Sequence, residues 1–392
     1  MIRNTNCASI LVGAVRKGML AVGAAACLLA LNSSASAQES RILTFDAPGA
    51  GTVANNFNGT FATAINALGT VAGYYNDSNL VSHCFIRTAD GKITTFDAPG
   101  ADINPADAAG SIINAINAFG AAAGIYLDSS FVSHGFVRSP NGKFTTFDAP
   151  GAGYTNPIAI NLEGAVVGYY QDSSSSTRAF LRRPDGKFTT WIGPDACTGT
   201  NAEGCYGSAA FNINGFGTIA GSFEDNTGNS GQHSYVRSPD GKLKPFDVPG
   251  AGTGSSQGTG CPGCALGLNQ WGAIAGAYSD TNSVNHGFLR SPDGKFTTFD
   301  APGAGTDSYE GTGCPSDCPT SLNDSGAIMG TYIDSNFVYH GYLRTPDGKI
   351  VTVDPSGSTF TWSSGINDLG AITGYYADTN GVYHGFLRIP GE

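Results

Sequence analysis

The sequence predicts an all-β fold, a seven-bladed β-propeller of four-stranded blades, on three observations. A pattern of about 50 residues recurs seven times, a period that suits a propeller blade and is roughly twice that of a parallel β-helix coil. Each copy divides into four short strand-like stretches with turn chemistry between them and no helical period. The two ends of the chain are complementary: the last copy stops at Arg388-Ile389-Pro390-Gly391-Glu392, after its third strand, whereas Arg41-Ile42-Leu43-Thr44-Phe45-Asp46 reads as a fourth strand with no copy before it. Joined, they complete the last blade, so the N-terminal strand closes the ring and leaves only short edges.

Residues 1 to 37 read as a cleavable export signal. Arg3, Arg16 and Lys17 precede and flank an apolar run from Met19 to Leu31, and Ala35-Ser36-Ala37 forms an A-x-A cleavage site. The alternative is a lipoprotein anchored through Cys27, but Gly23-Ala24-Ala25-Ala26 lacks the usual large aliphatic residue upstream of that cysteine. Residues 38 to 392 are then one propeller domain, secreted to the exterior or held in a periplasm. No later stretch approaches the roughly 18 consecutive apolar residues of a membrane helix, so no membrane span is expected. Without the signal the chain has 17 cations against 31 carboxylates, a net charge of −14. Such a surface repels phosphate backbones, which excludes nucleic acid as a partner.

Within a copy, the first strand ends at an Ile/Leu-Asn pair, and Asn-x-x-Gly turns it tightly into the second, which ends in Gly-x-aromatic. A loop opening with Asp leads to the third strand, His-Gly-Phe-Leu-Arg in the clearest copy. Ser-Pro-Asp-Gly-Lys is a hairpin turn into the fourth, Phe-Thr-Thr-Phe-Asp. These motifs resemble the HAF family of extracellular repeats, over nearly all of residues 41 to 392. The middle residue of that family's signature is mostly Gly here, with Cys84, Ala179 and Ser234 as departures. The resemblance implies bacterial export and tandem repetition, and it brings no activity or catalytic residue.

A residue present in every copy is explained by building the copy, since a reaction centre needs its groups once. All six histidines, His83, His134, His233, His286, His340 and His384, share one repeat position, where the third copy has Arg178. They are too dispersed for one metal site and suit a structural hydrogen bond. The Asp series from Asp77 to Asp378 suits Asx-turns, with bonding to the histidine as an option. Calcium is the alternative there, although no copy has the glycine and closing glutamate of an EF-hand. No cofactor is otherwise expected. The aromatic series from Tyr75 to Tyr376 suits packing between neighbouring copies. Turn lysines and third-strand arginines account for most of the cations, which leaves no separate basic patch.

Seven cysteines follow the signal. Six form close pairs in the loops that join one copy to the next: Cys197 with Cys205, Cys261 with Cys264, and Cys314 with Cys318. Local disulfides are expected in an oxidising compartment. Zinc held by neighbouring loops and bridges that cross between loops are the alternatives. Cys84 reads as a small buried residue.

The three residues before each Ile/Leu-Asn pair contain no acid or base, and the residue next to the pair is small. The favoured reading is therefore a non-catalytic, monomeric binding or interaction module for an unidentified glycan, cell-surface component or protein. The alternatives are a carbohydrate-active hydrolase or lyase, and a structural surface protein. Irregularity collects in the loops between copies, and Tyr154, Tyr206, Asp307, Tyr309 and Glu310 are the candidate ligand contacts there.

Overall fold

Glycine and asparagine turns cut the chain into short strands that pair with their sequence neighbours. The computed structural model describes residues 40–197, 207–226, 231–254, 257–260, 266–313 and 318–391. The proposed export signal lies outside them. In unit one the strands Gly59–Ile65, Val71–Asn76, Ser82–Arg87 and Ile93–Phe96 pair antiparallel in order. Asn66 closes the first turn, its Oδ1 accepting from the Leu68 and Thr70 amides at 3.0 Å each. Asp77 closes the second as an Asx-turn, with Oδ1 accepting from Asn79 N at 2.8 Å and Val81 N at 3.0 Å. Gly91 N donates to Thr88 O at 2.8 Å in the third turn.

The core lies between successive units. Phe85, Phe136, Phe180, Phe288 and Phe386 are fully buried, with Tyr235 and Tyr342 taking the same position in units four and six. Each aromatic ring removed from water contributes about 2 to 3 kcal/mol. Ala72, Cys84, Ile113 and Phe136 show the pattern, with unit one meeting unit two in one cluster. The strand Arg41–Phe45 pairs antiparallel with the last strand, Tyr383–Ile389, in the register Arg41↔Ile389 to Phe45↔Gly385. Residues Arg41–Pro390 make up one compact unit.

The expectation of a seven-bladed β-propeller is corrected. Among the described residues the strands form three large mixed sheets of eight, eight and fourteen strands, and none of these closes into a ring or curls as a propeller requires. Parallel bridges merge what would be separate four-stranded blades. The segment entering a unit pairs with the third strand of the preceding unit, at Gly59↔Tyr383, Gln232↔Gly258 and Asn285↔Gly311. Side chains also link the units. Asn66 Nδ2 donates to Asn117 O, and the same bond runs on through Asn161, Asn214, Asn269, Asn323 and Asn367 back to Asn66 O, at 3.0 to 3.4 Å.

Candidate ligand-binding site

First strands from all seven units line one cavity of about 670 Å³. Its lining follows from a repeated irregularity in those strands. The pairing of first with second strand slips between Ala62 and Ala64, Ile113 and Ala115, Pro157 and Ala159, Ala210 and Asn212, and Ser363 and Gly365. The bulged residues Thr63, Asn114, Ile158, Phe211 and Ser364 all face the cavity. A bulge re-aims a side chain that regular alternation would place elsewhere.

The polar lining is neutral and internally bonded. Thr63 Oγ1 donates to Ile113 O at 2.6 Å, and Asn212 Nδ2 donates to Leu266 O at 3.2 Å. Asn114 Nδ2 donates to Pro157 O at 2.7 Å and to Asn156 Oδ1 at 3.1 Å. Among the described residues no Asp, Glu, His, Lys, Arg or Cys lines the cavity. Aliphatic side chains such as Ile112, Ile158 and Leu266 line it too, and second strands and unit seven add the aromatics Tyr74, Tyr169, Tyr375 and Trp362.

Three of these belong to an aromatic wall between units seven and one. Phe61 lies 4.8 Å from Tyr74, 5.0 Å from Tyr375 and 4.9 Å from Tyr383, ring centre to ring centre. Trp362 stacks on Tyr375 at 6.1 Å and on Phe360 at 5.9 Å. Burial pushes the Tyr74 hydroxyl up to about 12, with Tyr383 adding to the shift. At the loop end Phe57 is 68% exposed and stacks on Tyr383 at 5.9 Å. Its φ of 50°, beside 55° at Asn55, holds this loop in a conformation that non-glycine residues rarely adopt.

The residues expected to bind ligand fall into two groups. Tyr154 stacks on Tyr169 at 6.1 Å, and Tyr169 reaches the cavity. Asp307, Tyr309 and Glu310 form one turn in a different sheet. Buried Glu310 braces it, with Oε2 accepting from Asp307 N at 3.0 Å and its carbonyl accepting from Asn285 Nδ2 at 3.1 Å. Tyr309 is 52% exposed. Tyr206 lies outside the described residues. The sequence reading missed Tyr74, Tyr169, Trp362 and Tyr375. Their signal was a departure from the repeat, since only units one, three and seven carry an extra tyrosine before the repeat aromatic, as Tyr74-Tyr75, Tyr169-Tyr170 and Tyr375-Tyr376.

The repeated ionisable groups lie in the units and not in the cavity lining. Each repeat histidine donates Nδ1–H to the aspartate that ends a fourth strand, as His134 does to Asp148 and His340 to Asp354 at 2.8 and 2.7 Å. Its ring stacks on the repeat aromatic, as His83 does on Tyr75 at 5.1 Å. In unit three Arg178 bonds the loop aspartate instead, donating Nε–H to Asp172 Oδ2 at 2.7 Å, the position that His134 Nε2 reaches at Asp128 at 3.3 Å. Among the described residues no group of three or more His, Cys, Asp or Glu could hold a metal ion. Cys84 is free and buried, and burial pushes its thiol up to about 12.

Cys197 and Cys318 are disulfide-bonded. Cys205, Cys261, Cys264 and Cys314 lie outside the described residues. Each of the three expected local pairs therefore has at least one member outside the described residues.

The chain is similar in structure to several solved proteins. The BP39L lectin from Burkholderia pseudomallei aligns at a TM-score of 0.51 with 12% identity, covering 91% of this chain and 98% of that one. AofleA from Arthrobotrys oligospora aligns at 0.47 with 13% identity, over 81% and 90%. The Pyrococcus horikoshii acylaminoacyl peptidase aligns at 0.49 with 9% identity, over 84% of this chain and 51% of that one. At such identity the likeness to the lectin speaks to a β-sheet-rich fold and nothing more. No family model matches the chain. No curated protein matches it either. The resemblance to HAF repeats therefore gains no support, and the bacterial and secreted labels attached to it are withdrawn.

Proposed function

We propose that this chain is a non-catalytic binding protein whose ligand is a neutral glycan, received at the aromatic wall between units seven and one, where the cavity meets the loop end. The observation that carries this reading is the cavity lining: amides, hydroxyls and aromatic faces set among aliphatic side chains, with no carboxylate, imidazole, thiol or amine among the described residues. Aromatic faces stack on the C–H faces of a sugar ring, and Asn114, Asn156 and Thr320 offer hydrogen bonds to its hydroxyls. General acid–base catalysis of glycoside cleavage needs a carboxylate pair, and the described residues of the lining offer none.

The test is titration calorimetry against a panel of neutral oligosaccharides, run beside a hydrolase and lyase assay on the same sugars. Binding without turnover is expected, with Trp362→Ala and Tyr74→Ala each weakening it about tenfold. Product formation, or binding that neither substitution weakens, overturns the reading.

A further inference from the structure

The end of the molecule opposite the Asp loops carries a surface that the cavity does not use. Antiparallel pairing brings the Asn-x-x-Gly turns and the hairpins between third and fourth strands to this end. A Cβ at Gly69 would sit 3.8 Å from Ala89 Cβ, and one at Gly217 would sit 3.8 Å from Pro239 Cβ. In five units the second residue after the repeat asparagine is large and apolar: Leu68, Phe119, Phe216, Trp271 and Leu369 are 68 to 72% exposed. Units three and six form the same turn with Glu163 and Ser325 at that position, Gly164 N donating to Asn161 O and Gly326 N to Asn323 O. The turn therefore does not need an apolar side chain; Trp271 donates Nε1–H to Asp324 O of the next unit at 3.1 Å, and the five side chains otherwise lie mostly open.

Charge is sorted between the two ends. Of the 17 lysines and arginines after the first 37 residues, fifteen lie at the turn end, leaving only Arg178 and Lys244 elsewhere. They comprise six hairpin lysines, Arg41, Arg183 and seven third-strand arginines, of which Arg182, Arg237, Arg290 and Arg344 are buried, their guanidiniums over aromatic rings. Against them, among the described residues, stand eight carboxylates: five hairpin aspartates with Glu163, Asp324 and Asp368. Pairs within a turn temper this charge, as Lys295 Nζ to Asp293 at 2.8 Å and Lys187 Nζ to Asp185 at 3.3 Å. The excess is still positive, in a chain that is acidic as a whole. The cations that the repeat spreads along the sequence are gathered by the repeat itself, because six units bring a hairpin lysine, and all seven a third-strand arginine, to the same end.

From these observations we infer that the turn end docks on an anionic phospholipid surface. Aromatic and aliphatic tips enter the headgroup boundary, lysines on the surrounding hairpins meet phosphate, and the acidic loop end faces away. A second copy fits poorly, because two turn ends of like charge would oppose each other.

The experiment is flotation of the full chain with vesicles of phosphatidylglycerol and phosphatidylcholine, compared with phosphatidylcholine alone. Capture by the anionic vesicles is expected, falling as salt rises. The variant F119S/F216S/W271S should lose capture by about tenfold or more, and so should K92E/K187E/K295E. All variants keep residues 1 to 37, so the apolar run there cannot account for a difference between them. Unchanged melting temperatures confirm folding. Brominated lipid should quench part of the wild-type fluorescence, and W271F should remove that part. Equal capture of wild type and both variants overturns the proposal. So does equal capture by neutral vesicles, or a dimer in sedimentation that forms without lipid and is lost in F119S/F216S/W271S.

Discussion

His384 donates Nδ1–H to Asp46 at 2.8 Å, across 338 residues of chain. It is the bond that the other repeat histidines make 14 residues away, as His83 does to Asp97. The two ends of the chain therefore reproduce one local contact between them. Phe45, one residue before Asp46, lies 6.0 Å from the Phe85 ring and 5.0 Å beneath the Arg87 guanidinium.

Removing the first strand should cost far more than removing this hydrogen bond. Deletion of residues 40 to 46 strips the backbone pairing from Tyr383–Ile389 and uncovers Phe85 and Arg87. Loss of the cooperative melt, or a destabilisation above about 4 kcal/mol, is expected. Asp46→Ala should cost about 1 kcal/mol or less, since its carboxylate is 55% exposed. Urea titration of the two variants separates the effects, and equal midpoints would contradict this account.

Asn269 has two roles that substitution can separate. Its Oδ1 accepts from Ala273 N at 2.9 Å within its own turn, and its Nδ2 donates to Asn323 O at 3.4 Å in the next unit. Asn269→Ala removes both roles at a buried site and should cost about 2 to 3 kcal/mol. Asn269→Asp keeps the acceptor, loses the donor and places a carboxylate against a carbonyl, so it should be at least as damaging. A fully stable aspartate variant in chemical denaturation would show that the link between units contributes nothing.

Stability should fall in alkali through His233. Its hydrogen bond to Asp247 raises its pKa to about 9, with burial opposing and Asp225 helping. A histidine in the unfolded chain titrates near about 6.5. The folded state thus binds the extra proton, and its contribution is fully present below about 6.5 and lost as pH rises through about 9. Denaturation midpoints measured from pH 6 to pH 10 should decline across this window, and His233→Gln should flatten the decline.

Two glycines with positive φ should respond very differently to alanine. At Gly258, φ is 122° and a Cβ would meet Gln232 O at 2.2 Å, where the parallel bridge forms. At Gly272, φ is 84° and a Cβ would meet nothing within 4 Å. Gly272→Ala should cost about 1 kcal/mol from backbone conformation alone, whereas Gly258→Ala adds a backbone clash and should exceed about 3 kcal/mol. Comparable melting temperatures would mean that the bridge yields without cost.

Local chemistry made much of this molecule readable from the sequence alone. Asn66 and Asp77 close their turns through their own side chains, so their structure is written within five residues. The pairing of Arg41–Phe45 with the last strand was legible because residues 41–46 carry a fourth-strand motif ahead of the first copy and none follows Arg388. Tertiary structure alone decided how the units join. The parallel bridges at Gly59, Gly258 and Gly311 and the bonds between successive asparagines depend on the distance between neighbouring units, which no turn motif encodes. The cavity lining was hidden for the same reason: a bulge such as that at Thr63 exists only once the facing strand sets the register. The sorting of charge to one end needed both, since the repeat supplies the residues and antiparallel pairing gives them a common direction.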